Sequence, residues 1–387
     1  MPDTARVRVG IVGAGFIGPA HIEALRRLGF VDVVALAGAT QASAERKAGA
    51  LCVPRAYGDY RELIADPGVE VVHITAPNEL HYAVARDALA AGKHVVCEKP
   101  LALTSAESAE LVRLAEQSGC VNAVTFNFRF YPLLRHARAL IRRGDLGPIY
   151  LVHGGYWQDW LLQATDYNWR VEPARGGPLR AVGDIGSHWL DLAQFLTDLP
   201  IRAVSADLAT FLPVRQKPAR PPDAFAAAAE TERVPVVVET EDAATVMLRF
   251  GETARGAMMV SQVSAGRKNR LVIEVNGASG SIAWDAERPN ELWIGHRDRP
   301  NELLAKDPAL LADEARPYAR YPGGHAEGFP DSHTATNRAI YAYILAGGRQ
   351  SPLAPDFPTF ADGHREQVLA DCIVRSAREG RWVTVPR

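Results

Sequence analysis

Val7-Arg8-Val9-Gly10-Ile11-Val12-Gly13-Ala14-Gly15-Phe16-Ile17-Gly18 is the stretch from which the rest of the chain is read. A short β-branched run leads straight into G-x-G-x-x-G, and a helical pattern follows over 19–28 with Ile22, Leu25 and Leu28 on one face. Glycines between a buried strand and a helix let backbone N–H groups approach an anion at the helix N-terminus, as a pyrophosphate requires. Working outward, apolar runs at 31–37, 69–74, 93–97 and 121–128 alternate with helical patterns at 42–51, 82–91 and 105–117. Five strands with four crossovers predict an α/β, doubly wound parallel sheet of Rossmann type. This is a dinucleotide-binding domain over residues 1–128, with ligands beyond the carboxyl ends of the strands.

Beyond Arg129 the pattern changes. A helix at 133–143 and a strand at 149–156 precede strands at 201–211, 243–250, 253–263, 270–275 and 281–285. Gly251-Glu252 and Gly277-Ala278-Ser279-Gly280 supply hairpin turns. Residues 129–387 therefore read as an α+β domain with a large, mostly antiparallel open sheet for substrate binding and oligomerisation. Two stretches, 213–235 and 287–331, read as long loops, and helices at 336–345 and 360–378 close the chain. Both faces of the sheet carry apolar side chains: Val246, Leu248 and Phe250 oppose Met247, while Met258 and Val260 oppose Ala257, Met259 and Val263. A second copy covering the open face is the economical solution, so a homodimer or homotetramer is expected, the alternative being cover by the long loops.

The chain has 387 residues, 47% hydrophobic and 23% charged, with 43 Lys and Arg against 45 Asp and Glu. That balance offers no basic excess for nucleic acid. Cys52, Cys97, Cys120 and Cys372 lie far apart without a C-x-x-C pair, which argues against a disulfide framework or zinc ribbon and for a reducing compartment. The N-terminus lacks the apolar segment of a signal peptide, and no apolar run approaches the ~20 residues that span a bilayer. A soluble, cytoplasmic protein is expected.

The second strand ends Leu36-Ala37-Gly38-Ala39-Thr40-Gln41, with neither an acid for the adenosine ribose nor an Arg for a 2′-phosphate. The expected cofactor is NAD, with NADP left open. The third strand ends Thr75-Ala76-Pro77-Asn78 and the fourth Glu98-Lys99-Pro100. An amine that loses solvation beside an apolar cleft exchanges protons more readily near neutral pH, which suits Lys99; the alternative is a surface lysine paired with Glu98. A second cluster is Gly183-Asp184-Ile185-Gly186-Ser187-His188-Trp189-Leu190-Asp191. If a helix starts near Asp184, Asp184 and His188 share one face at i and i+4, and the acid orients an imidazole base. The competing readings are a capping Asp with a buried His, or a metal pair for which no third and fourth ligands stand at convincing spacing.

Taken in order, the glycine turn, Thr75-Ala76-Pro77-Asn78 with His81, Glu98-Lys99-Pro100 and Asp184-x-Gly-x-His188-x-x-Asp191 resemble the Gfo/Idh/MocA oxidoreductases. The stretch Tyr156-Trp157-Gln158-Asp159-Trp160, Asn168-Trp169-Arg170 and Phe360-Ala361-Asp362-Gly363-His364 is most similar to the levoglucosan dehydrogenase branch, which oxidises the C3 hydroxyl of a sugar with NAD. The resemblance implies hydride transfer between nicotinamide C4 and a secondary carbinol of a sugar, anhydrosugar or cyclic polyol. Lys99 and His188 would flank the hydroxyl and Asp184 would support the histidine. It also implies a cis Lys99-Pro100 bond. Cofactor contacts fall to Gly13, Gly15, Phe16, Ile17, Gly18, Gly38, Thr40, Thr75, Pro77, Asn78, His81, Glu98, Lys99 and Asn127. Substrate contacts fall to Lys99, Arg129, Gln158, Asp159, Trp169, Asp184 and His188, with no metal; for the tryptophans the competing reading is core packing. His333 either edges the pocket from a long loop or is solvated. Two other functions fit the fold: a lyase or glycosidase that oxidises a sugar transiently with held NAD, and a non-catalytic redox sensor.

Overall fold

In a computed structural model, which describes residues 6–219, 232–352 and 354–386, the opening run forms β1 (Val7–Val12) and the glycine turn leads into α1 (Ile17–Arg26). There follow β2 (Val31–Ala37), α2 (Gln41–Ala50), β3 (Arg55–Tyr57), α3 (Tyr60–Ala65), β4 (Val71–Ile74), α4 (His81–Ala90), β5 (His94–Cys97), α5 (Ser105–Ser118) and β6 (Asn122–Val124). The strands pair in parallel in the order β3-β2-β1-β4-β5-β6. Six strands stand where five were expected. The extra one, β3, is three half-buried residues at an edge, too short to leave a periodic signal. Strand order reverses between β1 and β4, which makes the carboxyl ends of those two strands the natural ligand crevice. Local chemistry starts the helices where they start: the Thr40 hydroxyl accepts the Ser43 N–H, and Thr104 and Glu107 form a capping box for α5, which ends on left-handed Gly119.

From α6 (Pro132–Arg143) the chain enters the second sheet. Its elements are β7 (Ile149–Trp157), α7 (Pro173–Gly176), α8 (Ser187–Thr197), β8 (Ile201–Ala209), β9 (Val214–Pro218), β10 (Arg233–Val237), β11 (Ala243–Phe250), β12 (Ala254–Ser261), β13 (Arg270–Gly277), β14 (Ser281–Asp285), β15 (Glu291–Gly295) and β16 (Glu302–Ala305). After α9 (Phe329–Leu345) and α10 (Phe360–Glu379), β17 (Val383–Thr384) completes the order β16-β15-β14-β13-β7-β12-β11-β8-β17. β7 and β12 run parallel, whereas β11 is antiparallel to both its neighbours and β13 to both of its own. Alternation holds as read: Ala244, Val246, Leu248 and Phe250 are buried while Thr245, Met247 and Arg249 are exposed. Trp189 of α8 packs against the buried side, and its indole N–H donates to the Val272 carbonyl at 2.9 Å.

Both expected loops contain strands. Within 213–235, β9 and β10 pair antiparallel, and the rest of that stretch, 220–231, lies outside the described residues. Within 287–331, β15 and β16 extend the nine-stranded sheet, and the buried Lys306 ammonium donates to Glu327 at 2.6 Å.

Two compact units emerge, one of Met1–Ala139 with Ala305–Val368 and the other of Leu140–Leu304 with Leu369–Arg387. A contiguous second domain over 129–387 is therefore not how the contacts divide. Residues 305–368 return to the first unit because α9 places Ala335, Ile340 and Tyr341 in the apolar core shared with Ile22 and Leu25 of α1. On the opposite face of the same sheet, Leu63 and Ile64 of α3, Val84 and Leu89 of α4 and Leu111 of α5 close a second core. Among the described residues no helix is long and apolar enough to cross a membrane.

Candidate active site

The glycine turn is shaped by contact. Gly13 has φ +93°, and a Cβ there would lie 2.6 Å from the Ala76 backbone; a Cβ on Gly18 would lie 2.6 Å from the Gly13 carbonyl. Thr75, at the end of β4, donates its hydroxyl to that same Gly13 carbonyl, so the threonine ties the turn to the neighbouring strand. Gly15 has open space where a side chain would project, Phe16 beside it is 93% exposed, and the first turn of α1, from Ile17, carries no acid. Open backbone at a helix N-terminus without a nearby carboxylate fits the pyrophosphate of a dinucleotide. At the end of β2, the Gly38 N–H donates to the Tyr57 carbonyl and Thr40 caps α2, so that corner is built without a carboxylate.

The β4 and β5 ends are stapled to each other. His81 is buried, with Nδ1 2.7 Å from the Pro100 carbonyl and Nε2 2.9 Å from that of Ala76, and burial pushes its pKa down. It holds the turns after Pro77 and Lys99 rather than facing outward. Asn78 is buried in a short 3₁₀ turn over Asn78–Leu80. The Lys99-Pro100 bond is cis. Glu98, read as a cofactor contact, is buried: its Oε1 lies 2.9 Å from Nε2 of His21 and its Oε2 accepts the Lys99 backbone N–H at 3.2 Å. Burial alone would raise the Glu98 pKa, but the hydrogen bond and charge of His21, with His333 and Lys99, bring it down to about 2.

Asn127 is buried and donates to the Ser332 hydroxyl at 2.8 Å, and Arg129 pairs with Asp362 at 2.9 Å. Arg129 and the Phe360–His364 stretch thus meet within the first unit. His333 is neither in a loop nor solvated. It lies in α9, is 2% exposed, and sits with its ring 5.4 Å from His21 and 4.6 Å from Phe329. Burial and the neighbouring His21 push it to about 3.

In the second unit, Asp184 and His188 do not begin a helix. The helix is already running at Ala181, and residues Val182–Gly186 form a π-turn in which the Ser187 N–H donates to the Val182 carbonyl. The wide turn offsets Asp184 from His188 relative to the α-helical register. Asp184 Oδ1 accepts Arg170 Nε at 3.1 Å and Oδ2 accepts Gln262 Nε2 at 2.8 Å. The His188 ring lies 6.4 Å from that of Tyr156, whose hydroxyl donates to Asn269 at 2.6 Å. Gln158 donates to the same Asn269 oxygen at 2.8 Å and accepts from the Trp160 indole at 2.7 Å. These groups gather at the carboxyl ends of the parallel pair β7 and β12, a polar cluster of the kind that orients hydroxyl ligands. Asp159 is engaged elsewhere, holding the Gly266 N–H at 3.0 Å and Lys268 at 2.7 Å; the lysine keeps its carboxyl below the usual range. Trp169 is half-buried, with the Arg170 guanidinium 4.4 Å over its ring.

Sequence reading missed Arg170, Gln262, Asn269 and His21. Arg170 had a signal in its neighbour Trp169, and His21 in its place one turn into α1. Gln262 and Asn269 had none, since a single polar residue at a strand end looks like any other. Among the described residues no group of three His, Cys, Asp or Glu could hold a metal.

Against known proteins, residues 7–126 match the model of the oxidoreductase family with NAD-binding Rossmann fold, and residues 134–283 match that of the GFO/IDH/MocA C-terminal domain. Levoglucosan dehydrogenase of Pseudarthrobacter phenanthrenivorans is 31% identical over 98% of both chains. A solved levoglucosan dehydrogenase in complex with NADH and levoglucosan superposes with TM-score 0.87 at 29% identity, covering 99% of this chain and 100% of that one. An inositol dehydrogenase homologue from Azotobacter vinelandii, complexed with NAD+, gives TM-score 0.87 at 27% identity over 98% and 97% of the two chains. The strand order, the glycine turn and the matched models agree, and the chain belongs to the Gfo/Idh/MocA family of NAD-binding oxidoreductases.

Proposed function

We propose that this enzyme oxidises a secondary hydroxyl, at C3, of a sugar, anhydrosugar or cyclic polyol. The observation that carries this reading is the Asp184 carboxylate, held from both sides by Arg170 and Gln262 in the helical segment that bears His188. A relative is named levoglucosan dehydrogenase, and a solved structure of that name holds NADH and levoglucosan, which supports a sugar substrate. Bound NAD supplies a hydride acceptor at the nicotinamide ring. The chain's own residues must then bind the sugar, take the hydroxyl proton and steady the charge left on oxygen. His188 takes the proton in this reading, and its imidazole is kept in place by the Asp184 turn. Lys99 presents an ammonium to the developing alkoxide, where a fixed positive charge lowers the barrier. Tyr156, Gln158, Asn269 and Trp169 suit a pyranose, with hydroxyls meeting amides and C–H faces meeting rings.

Lys99→Ala and His188→Ala should each lower kcat by on the order of 10²–10⁴ with NADH binding nearly intact. Near-normal turnover in either variant removes that residue from the reaction. The substrate test is a panel of levoglucosan, sugars and inositols with NAD and NADP, read by reduced-cofactor formation. Product without net reduced cofactor would favour the lyase or glycosidase reading instead.

Assembly follows from the sheet. Leu151, Met247 and Met259 are each about half exposed on its outer face, and a second copy of the chain would bury them. Met247→Lys with Met259→Lys should shift light-scattering mass from oligomer to monomer, and an unchanged mass would place the interface elsewhere. The four free cysteines suit the reducing cytoplasm.

A further inference from the structure

We propose that His21 is a positioning residue for Lys99, acting through Glu98. The inference rests on the reading of Lys99 given above. Four separate elements supply the groups: His21 from α1, His73 from β4, Glu98 from the end of β5 and Tyr341 from α9. His21, His73 and Tyr341 are wholly buried and Glu98 is 8% exposed. They form one chain of hydrogen bonds. Tyr341 Oη lies 2.8 Å from His73 Nε2, His73 Nδ1 lies 2.9 Å from His21 Nδ1, and His21 Nε2 lies 2.9 Å from Glu98 Oε1.

The direction of donation follows from the carboxylate. Glu98 is ionised and has no proton to give, so the N–H in its bond to His21 belongs to His21 Nε2. Burial keeps His73 neutral, so one of its ring nitrogens donates and the other accepts, and its roles toward His21 Nδ1 and the Tyr341 hydroxyl are complementary. Burial also keeps that tyrosine protonated. Each ring nitrogen in the chain has a partner within hydrogen-bond distance, so the His21 ring is held at both ends.

Packing alone does not call for this arrangement. The residues of α1 that merely seal it to the sheet are Ile22, Ala24 and Leu25, and a polar chain in their place costs desolvation that only a full set of bonds offsets. What the chain achieves is to hold both oxygens of Glu98, one on His21 and the other on the backbone N–H of Lys99. The carboxylate thereby fixes the backbone from which the Lys99 side chain departs. His333 contributes to the field but not to this chain: its ring lies 5.4 Å from that of His21.

The test uses the full chain with NAD and levoglucosan, in variants His21→Leu, His21→Gln, Glu98→Gln, Lys99→Ala and His21→Leu/Lys99→Ala. His21→Leu should lower kcat 10–100-fold while the NADH dissociation constant moves less than about twofold. His21→Gln, whose amide N–H can still reach Glu98, should recover to within about fivefold of wild type. Added to Lys99→Ala, His21→Leu should cost less than a further twofold, because its effect runs through the lysine. A second readout needs no turnover: acetylation of Lys99 by acetic anhydride, followed by peptide mass with exposed Lys268 as internal standard, should change at least threefold in His21→Leu. If His21→Leu does not fold, Glu98→Gln carries the same expectations. Normal kcat and unchanged Lys99 acetylation in the folded variant overturn the proposal, as does a full 10–100-fold loss on top of Lys99→Ala. Lys99→Ala retaining near-normal turnover is a different result, since it removes Lys99 from the reaction itself.

Discussion

In the first unit Glu98 sits among imidazoles; in the second, Asp242 sits among guanidiniums. Asp242, fully buried, pairs with Arg180 and with Arg215 at 2.7 Å, and its other oxygen accepts the N–H groups of Phe211 and Leu212 at 2.7 and 2.9 Å. Arg215 in turn donates to the carbonyls of Gln163 and Asp166, and Glu241 accepts the N–H groups of Arg180 and Val182 at the start of the π-turn segment. This network joins the loop after β7 to the helix that carries Asp184. Two buried guanidiniums on one carboxylate oxygen, with backbone N–H groups on the other, make Asp242 the centre of a clamp. The Glu98 network is built instead of imidazoles and a phenol, and burial holds His73 neutral and Tyr341 protonated. The difference separates a scaffold built on charge pairing from a support built on imidazole and hydroxyl hydrogen bonds.

Removing the counter-charge should break the clamp most severely. Asp242→Asn leaves two buried guanidiniums around a neutral amide, and about 3–5 kcal/mol of stability should vanish in urea unfolding followed by tryptophan fluorescence. A loss under about 1 kcal/mol would mean the clamp is not a scaffold.

The two units should also answer pH in opposite directions between pH 7 and 5. His333 is held near 3, far below the ordinary 6.5, so the unfolded chain binds a proton that the fold refuses, and the first unit weakens as pH falls below 6.5. Buried His73 and His81 act in the same sense. Glu98, at about 2, adds its loss only as pH falls from about 4.5 toward 2. Glu241 is pushed up by burial to about 7, so its contribution is whole below pH 4.5 and is lost as pH rises through 7. Each group contributes at most about 1.4 kcal/mol per pH unit within its window. Hydrogen exchange, corrected for its intrinsic pH dependence, should show β1 and β4 amides losing protection from pH 7 to 5 while β11 amides gain it. A parallel response would erase the contrast. The smallest effect is at the far end of the imidazole chain: Tyr341→Phe deprives His73 of one hydrogen bond and should cost about 1 kcal/mol by thermal unfolding.

Legibility followed distance along the chain. Gly13 and Gly18, the helix starts at α2 and α5, and the alternation in β11 were readable because each depends on a few neighbouring residues. Lys99, Asp184 and His188 were readable as motifs. The partners of those residues were not: Arg170 and Gln262 reach Asp184 across 14 and 78 positions, and Glu98 meets His21 across 77. His333 was misplaced for the same reason, since nothing near it in sequence reveals that α9 lies over α1. The π-turn escaped because inserting one wide turn leaves the composition of a helix untouched.

Sequence alone therefore determined the strand–turn–helix unit, the alternation of elements and the family, because periodicity, capping and glycine geometry act over a few residues. Tertiary structure decided that 305–368 rejoin the first unit, that Glu98 faces inward to histidines, and that Asp184 is held between Arg170 and Gln262. Those outcomes depend on which surfaces bury each other, and burial couples residues without regard to their separation in the chain.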